Sequence, residues 1–396
     1  MPDIAVAGGG MVGAACALAL ARRGFDVVLI EPREPAPWRA EERADLRVIA
    51  LAPSSASLLQ GLGLWNTIRD ACVSPYRKMR VWDAESGAEL SFDAADEGRA
   101  ELGWIVENKL LQSVLWNALD AVGVRRVCPG EVLDVETRAE RVALTLDDGV
   151  TLSARLLVIA DGARSALRER AGIETHGHDY GQRAVVAHVS TERSHESTAW
   201  QRFTREGPIA LLPLLDGRSS IVWSLPEQRA QQVLTMDDAA FCNEVSLASD
   251  FRLGRVTAVT PRASFPLRLQ LAKTYAIDRC VLLGDAAHAL HPLAGQGANI
   301  GLRDVAELVE VLGEARDAGR DFSVPHVLQR YARRRRSADT LDAWSFDALS
   351  RMFAWRAPPL IALRGMGLRA VDALAPLKHA FSTHAAGVKE FTRRMP

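Results

Sequence analysis

The sequence predicts an α/β fold in which a parallel sheet is interrupted by a mostly antiparallel sheet and followed by a helical C-terminal region. Three observations lead there. The first thirty residues read strand, glycine-rich turn, helix, strand. The middle of the chain breaks into short apolar runs separated by Gly207-Pro208 and Asp216-Gly217 turns. Beyond about Pro325 the pattern is helical, with a break at Pro358-Pro359. At 396 residues the chain exceeds the size at which one hydrophobic core usually stops growing, so more than one lobe is expected.

Taken in order, residues 4–7 are a short apolar run suited to a buried strand, 8–13 a glycine-rich turn and 14–22 a small-residue helix that Gly24 stops. Residues 27–30 make the second buried strand, and a βαβ start implies a parallel sheet. The turn carries Gly8, Gly10 and Gly13 in GxGxxG spacing around Met11 and Val12, with Glu31 eighteen residues after Gly13. Glycine is needed there because a side chain would block the tight turn and the approach of a pyrophosphate to the helix start. Glu31 ends the second strand, where it can accept hydrogen bonds from ribose hydroxyls. This motif marks a Rossmann-like dinucleotide site but does not separate NAD from FAD.

Residues 142–146 alternate before an Asp147-Asp148-Gly149 turn, a hairpin signal. Residues 156–160 are a continuous apolar strand that runs into Asp161 and Gly162, a plausible second contact to a dinucleotide. A further buried strand, 280–283, ends at Gly284 and Asp285, placing that carboxylate at the carboxyl edge of the sheet, where open α/β sheets bind ligands. The stretch from Pro292 through Gly295, Gln296 and Gly297 is too rich in glycine for plain helix, and a helix resumes near Ala298 and Asn299. Its N-terminus would aim free N–H groups at an electron-rich ligand such as a reduced flavin.

Composition excludes other classes. Formal net charge is -1, which gives no reason to expect nucleic acid. Five scattered cysteines without a CxxC pair argue against a disulfide framework or zinc site and fit a cytoplasmic setting. No signal peptide and no apolar run near 18 residues is visible. His288 and His291 could share a helical face, but no third ligand lies nearby in the sequence, so no metal is expected. His288 and Pro292 are the candidate catalytic residues, with packing as the alternative for His288. The run from Arg333 to Arg336 reads as one exposed, salt-bridged helix turn.

The combination of GxGxxG near residue 8, Asp161-Gly162 and Gly284-Asp285 resembles the class A flavoprotein monooxygenases, the aromatic-ring hydroxylases related to para-hydroxybenzoate hydroxylase. Residues 284–299, GDAAHALHPLAGQGAN, resemble the ubiquinone-biosynthesis hydroxylases in particular, and 45–51, 107–112, 201–203, 207–208, 212–214 and 363–368 agree. The similarity runs from residue 4 to about 387. It implies a discontinuous FAD-binding domain (1–75, 100–180 and 270–325), a substrate-binding domain (76–99 and 181–269) and a C-terminal helical region (326–396). It further implies that Gly8, Gly10, Gly13 and Glu31 hold the ADP half of FAD, that Arg47 sits by the pyrophosphate or flavin, and that Gln112 contacts the ribitol phosphate. Asp161 and Gly162 lie near the pyrophosphate and NAD(P)H, Asp285 binds ribitol, and 292–299 wrap the isoalloxazine.

The implied reaction is hydroxylation of a lipid-tailed phenol by O2 and NAD(P)H through a flavin C4a-hydroperoxide. Water must then be kept out, with Phe203, Leu211, Leu212 and Trp223 as candidate roof residues. A hydroxylase of another aromatic substrate, a flavin-dependent lipid reductase and a non-catalytic FAD-binding member of a quinone-synthesis complex remain as alternatives. The halogenase reading lacks its Trp-x-Trp-x-Ile-Pro element. From 345 to 396, eight basic residues against three acidic ones, interleaved with large apolar residues, suit a membrane surface on the inner face or a quinone-synthesis complex.

Overall fold

In the computed structural model, which describes residues 1–289, 297–353 and 355–387, the strands form four sheets. The first has six strands in the order Ala276–Ile277, Cys280–Leu282, Leu156–Ile159, Ile4–Ala7, Val27–Ile30 and Arg125–Val127. All pairings are parallel except the edge hairpin formed by the first two. Ile4–Ala7, Val27–Ile30 and Leu156–Ile159 are buried along their whole length, as continuous apolar runs covered on both faces require. Helix Met11–Arg22 packs on this sheet through Gly13, Ala14, Ala15, Cys16 and Ala17, side chains small enough for helix Gly297–Asp317 to approach closely behind it.

The inserted lobe is a nine-stranded sheet. Its centre is the seventeen-residue strand Thr175–Thr191, paired antiparallel with Ala263–Ala272 on one side and Ser219–Pro226 on the other. Pro208–Pro213, Thr198–Phe203, Lys78–Asp83 and Glu89–Asp93 continue it outward. Alternation gives the sheet two faces. Val185, Ala187, Ile209, Leu211, Ile221 and Trp223 meet Phe241 and Val245 of helix Asp238–Ala248 in a separate apolar core. Ala184, Val186, Ala210, Leu212 and Val222 face the other way, toward the first lobe.

The C-terminal region consists of helices Pro325–Phe353, Pro358–Ala373 and Ala375–Ala386. Arg364 clamps it to the inserted sheet: its guanidinium forms a buried two-pronged pair with Asp83 at 2.9 Å on each oxygen. The same group donates to the Met352 and Phe353 carbonyls, both at 3.0 Å. Phe353 stacks on Phe203 with centroids 3.6 Å apart. No helix among the described residues is long and apolar enough to cross a membrane.

Candidate active site

Three loops at the carboxyl edge of the parallel sheet converge on one cavity. The first is the turn after Ile4–Ala7. Gly8 has φ of +106°, and a Cβ there would stand 2.4 Å from the Ala160 carbonyl oxygen. A Cβ on Gly13 would meet the Gly8 carbonyl oxygen at 1.9 Å. Gly10 differs: a Cβ on it would meet nothing within 4 Å, because it faces the cavity with Met11 and Val12. Glu31 stands beside this turn, its carboxylate accepting the Gly9 N–H at 2.5 Å and the Arg33 N–H at 3.2 Å.

The second loop follows Leu156–Ile159. Gly162, in the left-handed region at φ +90°, and Ala163 and Arg164 line the cavity. Asp161 accepts the Leu167 N–H at 3.4 Å, and burial pushes its carboxyl up against the opposing hydrogen bonds from Ser165 and the backbone. Buried Arg168 donates to the Ala163 carbonyl at 3.3 Å and the Ala286 carbonyl at 3.0 Å, so it joins the second loop to the third.

The third loop begins at Gly284, in the left-handed region at φ +55°. Asp285 lines the cavity: its side chain is open to that space yet surrounded by protein. Burial pushes its carboxyl up, with His288 and Arg47 opposing. Gly297 and Ala298, at the start of the next helix, also face the cavity. Buried Asn299 instead braces the scaffold. Its Oδ1 accepts from the Ala52 N–H and the Ser55 hydroxyl, and its Nδ2 donates to the Ala50 carbonyl, all at 2.8 Å. Pro292, Gly295 and Gln296 lie outside the described residues.

The cavity has a volume of about 850 Å³ and runs from these loops to the inner face of the nine-stranded sheet. Its volume falls in the range of small-molecule and cofactor sites. Arg47 enters from the opposite wall, its guanidinium 4.6 Å from the Phe265 ring centroid. Asp45 holds the backbone there, accepting the Arg47 N–H at 3.0 Å and the Lys109 N–H at 3.1 Å. Gln112 lies half-buried on helix Asn108–Ala118, outside the residues that line the cavity. The donor set fits a flavin dinucleotide: open glycine backbone at a helix start, a carboxylate at each end, an arginine between, and apolar walls beyond.

Four sequence expectations are corrected by this geometry. Of the proposed roof residues, Leu212 lines the cavity, whereas Leu211 and Trp223 point into the helix-covered core and Phe203 stacks on Phe353. His288 does not reach the cavity; its ring is enclosed, with Nε2 2.6 Å from Asp304 Oδ2, which leaves it no direct contact with a reacting group. Carboxylates absent from its sequence neighbourhood are therefore present in space, since His288, Asp304 and Asp339 come together. Arg335 already bonds both carboxylates and supplies the positive charge a metal would bring. The Arg333–Arg336 run is not one exposed turn, because Arg335 is buried in that cluster and Arg334 pairs with Glu307 at 2.6 Å. Asn108, Gln201 and Phe265 also line the cavity, though sequence reasoning assigns none of them a role: Asn108 and Gln201 stand in stretches that share the family resemblance, and Phe265 carries no signal.

Comparison with known proteins identifies the family. A family model described as an FAD binding domain matches residues 1–340. The 3-demethoxyubiquinol 3-hydroxylase of Escherichia coli K12 is 39% identical over 387 residues, covering 98% of each chain. The ubiquinone hydroxylase UbiL of Rhodospirillum rubrum is 38% identical, covering 97% of this chain and 89% of its own. The human mitochondrial ubiquinone biosynthesis monooxygenase COQ6 is 35% identical, covering 97% and 92%. Among solved structures, p-nitrophenol 4-monooxygenase from Pseudomonas putida superposes with a TM-score of 0.77 at 19% identity, covering 97% of each chain. Klebsiella pneumoniae HpxO, solved with FAD and uric acid, gives 0.74 at 20% identity, covering 97% and 96%. At such identities these two establish the fold.

Proposed function

The chain belongs to the FAD-binding monooxygenase family that contains the ubiquinone-biosynthesis hydroxylases, and from that membership we propose that it hydroxylates an aromatic ring of a polyprenylated phenol or quinone precursor. FAD is the cofactor, and NAD(P)H and O2 are the co-substrates. The observation that carries the reading is the cavity, which joins three dinucleotide-type loops to an apolar sheet face in one space of about 850 Å³.

When bound, FAD takes reducing equivalents from NAD(P)H and activates oxygen; the protein positions, shields and neutralises. Gly8, Gly10, Met11, Val12 and Gly13 hold the pyrophosphate at the helix start, and Glu31 takes the adenosine ribose. Asp285 accepts from ribitol, with Gly284, Gly297 and Ala298 beside it. Arg47 offsets negative charge in the cavity, Asp161 and Gly162 border the path of the nicotinamide cofactor, and Gln112 supports the ribitol-phosphate region. Val186, Ala210, Leu212, Val222 and Phe265 keep water from the ring being hydroxylated. In this reading 1–75, 100–180 and 270–325 form the FAD domain, 76–99 and 181–269 the substrate domain, and 326–396 the helical region.

We further assign the chain to the cytoplasm, peripheral on the inner membrane face. The support is the surface of the last two described helices, where Leu360, Leu363, Met366, Leu374, Leu377 and Phe381 are exposed beside Arg356 and Arg369. A substrate with a lipid tail makes such a surface useful.

Anaerobic reduction of the yellow protein by NADPH, with and without a polyprenyl phenol, tests the function. The phenol should accelerate reduction and, once air is admitted, leave as the hydroxylated product. Bound flavin whose reduction the phenol does not change, with no oxygenated product, would turn the assignment to another aromatic substrate or to a non-catalytic role.

A further inference from the structure

Behind the third loop lies a buried ion cluster that the reading above does not use. His288 comes from the loop, Asp304 from helix Gly297–Asp317, and Arg335 and Asp339 from helix Pro325–Phe353. His288 Nε2 is 2.6 Å from Asp304 Oδ2 and 3.6 Å from Asp339 Oδ2. Arg335 donates to Asp304 Oδ1 at 2.7 Å and to Asp339 Oδ1 at 2.5 Å. Asp304 has one more partner: the Gly284 N–H donates to its Oδ2 at 2.9 Å. A single carboxylate therefore holds a histidine, an arginine and the residue immediately before Asp285. Four enclosed charges are a poor way to hold two helices together, since apolar residues do that as well without the cost of removing charge from water. Their value here lies in what they fix.

We propose that this cluster is a positioning device for the flavin, in which His288 and Arg335 orient Asp304, Asp304 fixes Gly284, and Gly284 fixes the place from which Asp285 reaches into the cavity. The proposal rests on the FAD reading of the site. His288, Asp304, Arg335 and Asp339 act through Asp285 and touch neither cofactor nor substrate.

The charge state supports this role. Burial alone would favour neutral imidazole, but Asp304 and Asp339 hold His288 protonated, its pKa raised to about 9. Asp304 stays ionised despite its burial because His288 and then Arg335 stabilise it, while burial pushes Asp339 up. The other groups facing the cluster are Tyr275, Tyr331 and Cys16, all pushed up by burial and hence neutral, and Asp285 at the cavity wall. A histidine whose folded value is raised contributes fully below its ordinary value of 6.5, and its contribution is lost as pH rises through about 9.

The test is FAD affinity against pH, read by flavin fluorescence, for the wild-type protein, His288→Gln and Asp339→Asn, with apoprotein melting recorded alongside. Wild-type affinity should hold steady from about pH 6 to 8 and fall about tenfold by about pH 10. His288→Gln should bind about tenfold more weakly at neutral pH and show no alkaline step. Asp339→Asn removes one partner of His288 but leaves the Asp304–Gly284 contact, so its step should move to lower pH. If His288→Gln melts lower yet binds FAD with wild-type affinity and the same step, the cluster only stabilises the fold and the proposal is overturned. Should His288→Gln fail to fold, an unmoved step in Asp339→Asn overturns it equally. Wild-type protein that takes up no FAD at any pH would instead defeat the cofactor reading, and this proposal with it.

Discussion

Three glycines in one motif do two different jobs. Gly8 and Gly13 are glycine because backbone atoms occupy the space a Cβ would need. At Gly10 the fold itself makes no such demand, since its φ of -63° suits any residue and the space beside it is open to the cavity. Gly10→Ala should therefore leave apoprotein stability within about 0.5 kcal/mol of wild type. In the proposed site it should nonetheless weaken FAD binding by roughly tenfold or more, because the methyl group would stand where the pyrophosphate approaches. Melting and flavin titration on the same sample check both halves. Asp285 makes a parallel case, for among the described residues no hydrogen-bond donor meets its carboxylate. Asp285→Ala should cost affinity for FAD by about 1.5–3 kcal/mol, the usual worth of a hydrogen bond to a charged group, with little change in the melting of the apoprotein. Equal affinity in the variant would remove Asp285 from the cofactor site.

At the level of elements, a buried ion pair anchors the joint between the C-terminal helices and the inserted sheet, beside the Phe203–Phe353 stack and the Ser91 N–H donated to Asp372 at 3.1 Å. Arg364 and Asp83 are each at most 2% exposed, and Arg364 also closes the end of helix Pro325–Phe353. Removing one partner strands the other in the interior, so Arg364→Ala should destabilise the fold by about 3–5 kcal/mol. Replacing both, with Arg364→Met and Asp83→Leu, should recover most of that loss in urea melts, because apolar side chains of similar size need no compensation. A double variant as unstable as the single one would show that the carbonyl contacts matter more than the pair.

This joint also marks the limit of what the sequence reveals. Strands buried on both faces, such as Ile4–Ala7 and Leu156–Ile159, announce themselves by composition, and glycine loops by spacing, because local sterics dictate both. The Asp83–Arg364 pair spans 281 residues and the Ala50–Asn299 bond 249, and nothing local encodes either. The same limit explains Leu211 and Leu212: adjacent strand residues necessarily face opposite ways, but which of them faces the cavity depends on sheet pairing. His288 is visible as part of a motif, while Asp339 and the Arg335 that shares its carboxylates lie on a helix some fifty residues away.

On the scale of the whole molecule, the exposed apolar side chains are not spread evenly. Leu360, Leu363, Met366, Leu377 and Phe381 belong to the last two described helices and Leu374 joins them, whereas the parallel sheet and its covering helices expose little of this kind. Exposed apolar residues together with the exposed Arg356 and Arg369 suit the proposed binding to an anionic bilayer, in which apolar side chains would enter the headgroup boundary and the cations would add roughly 1 kcal/mol each at low salt. Leu363, Met366 and Phe381 are 58%, 64% and 55% exposed, so changing all three to serine should leave the melting temperature unmoved. Sedimentation with anionic vesicles should fall at least several-fold. Turnover of a short-chain phenol in solution should be unchanged, while turnover of a polyprenyl phenol held in vesicles should drop in proportion to lost binding. Wild-type protein that fails to sediment at low salt would reject the membrane assignment. Loss of turnover on both substrates would instead place these residues in the support of the active site, reached through Arg364 and the end of the long helix.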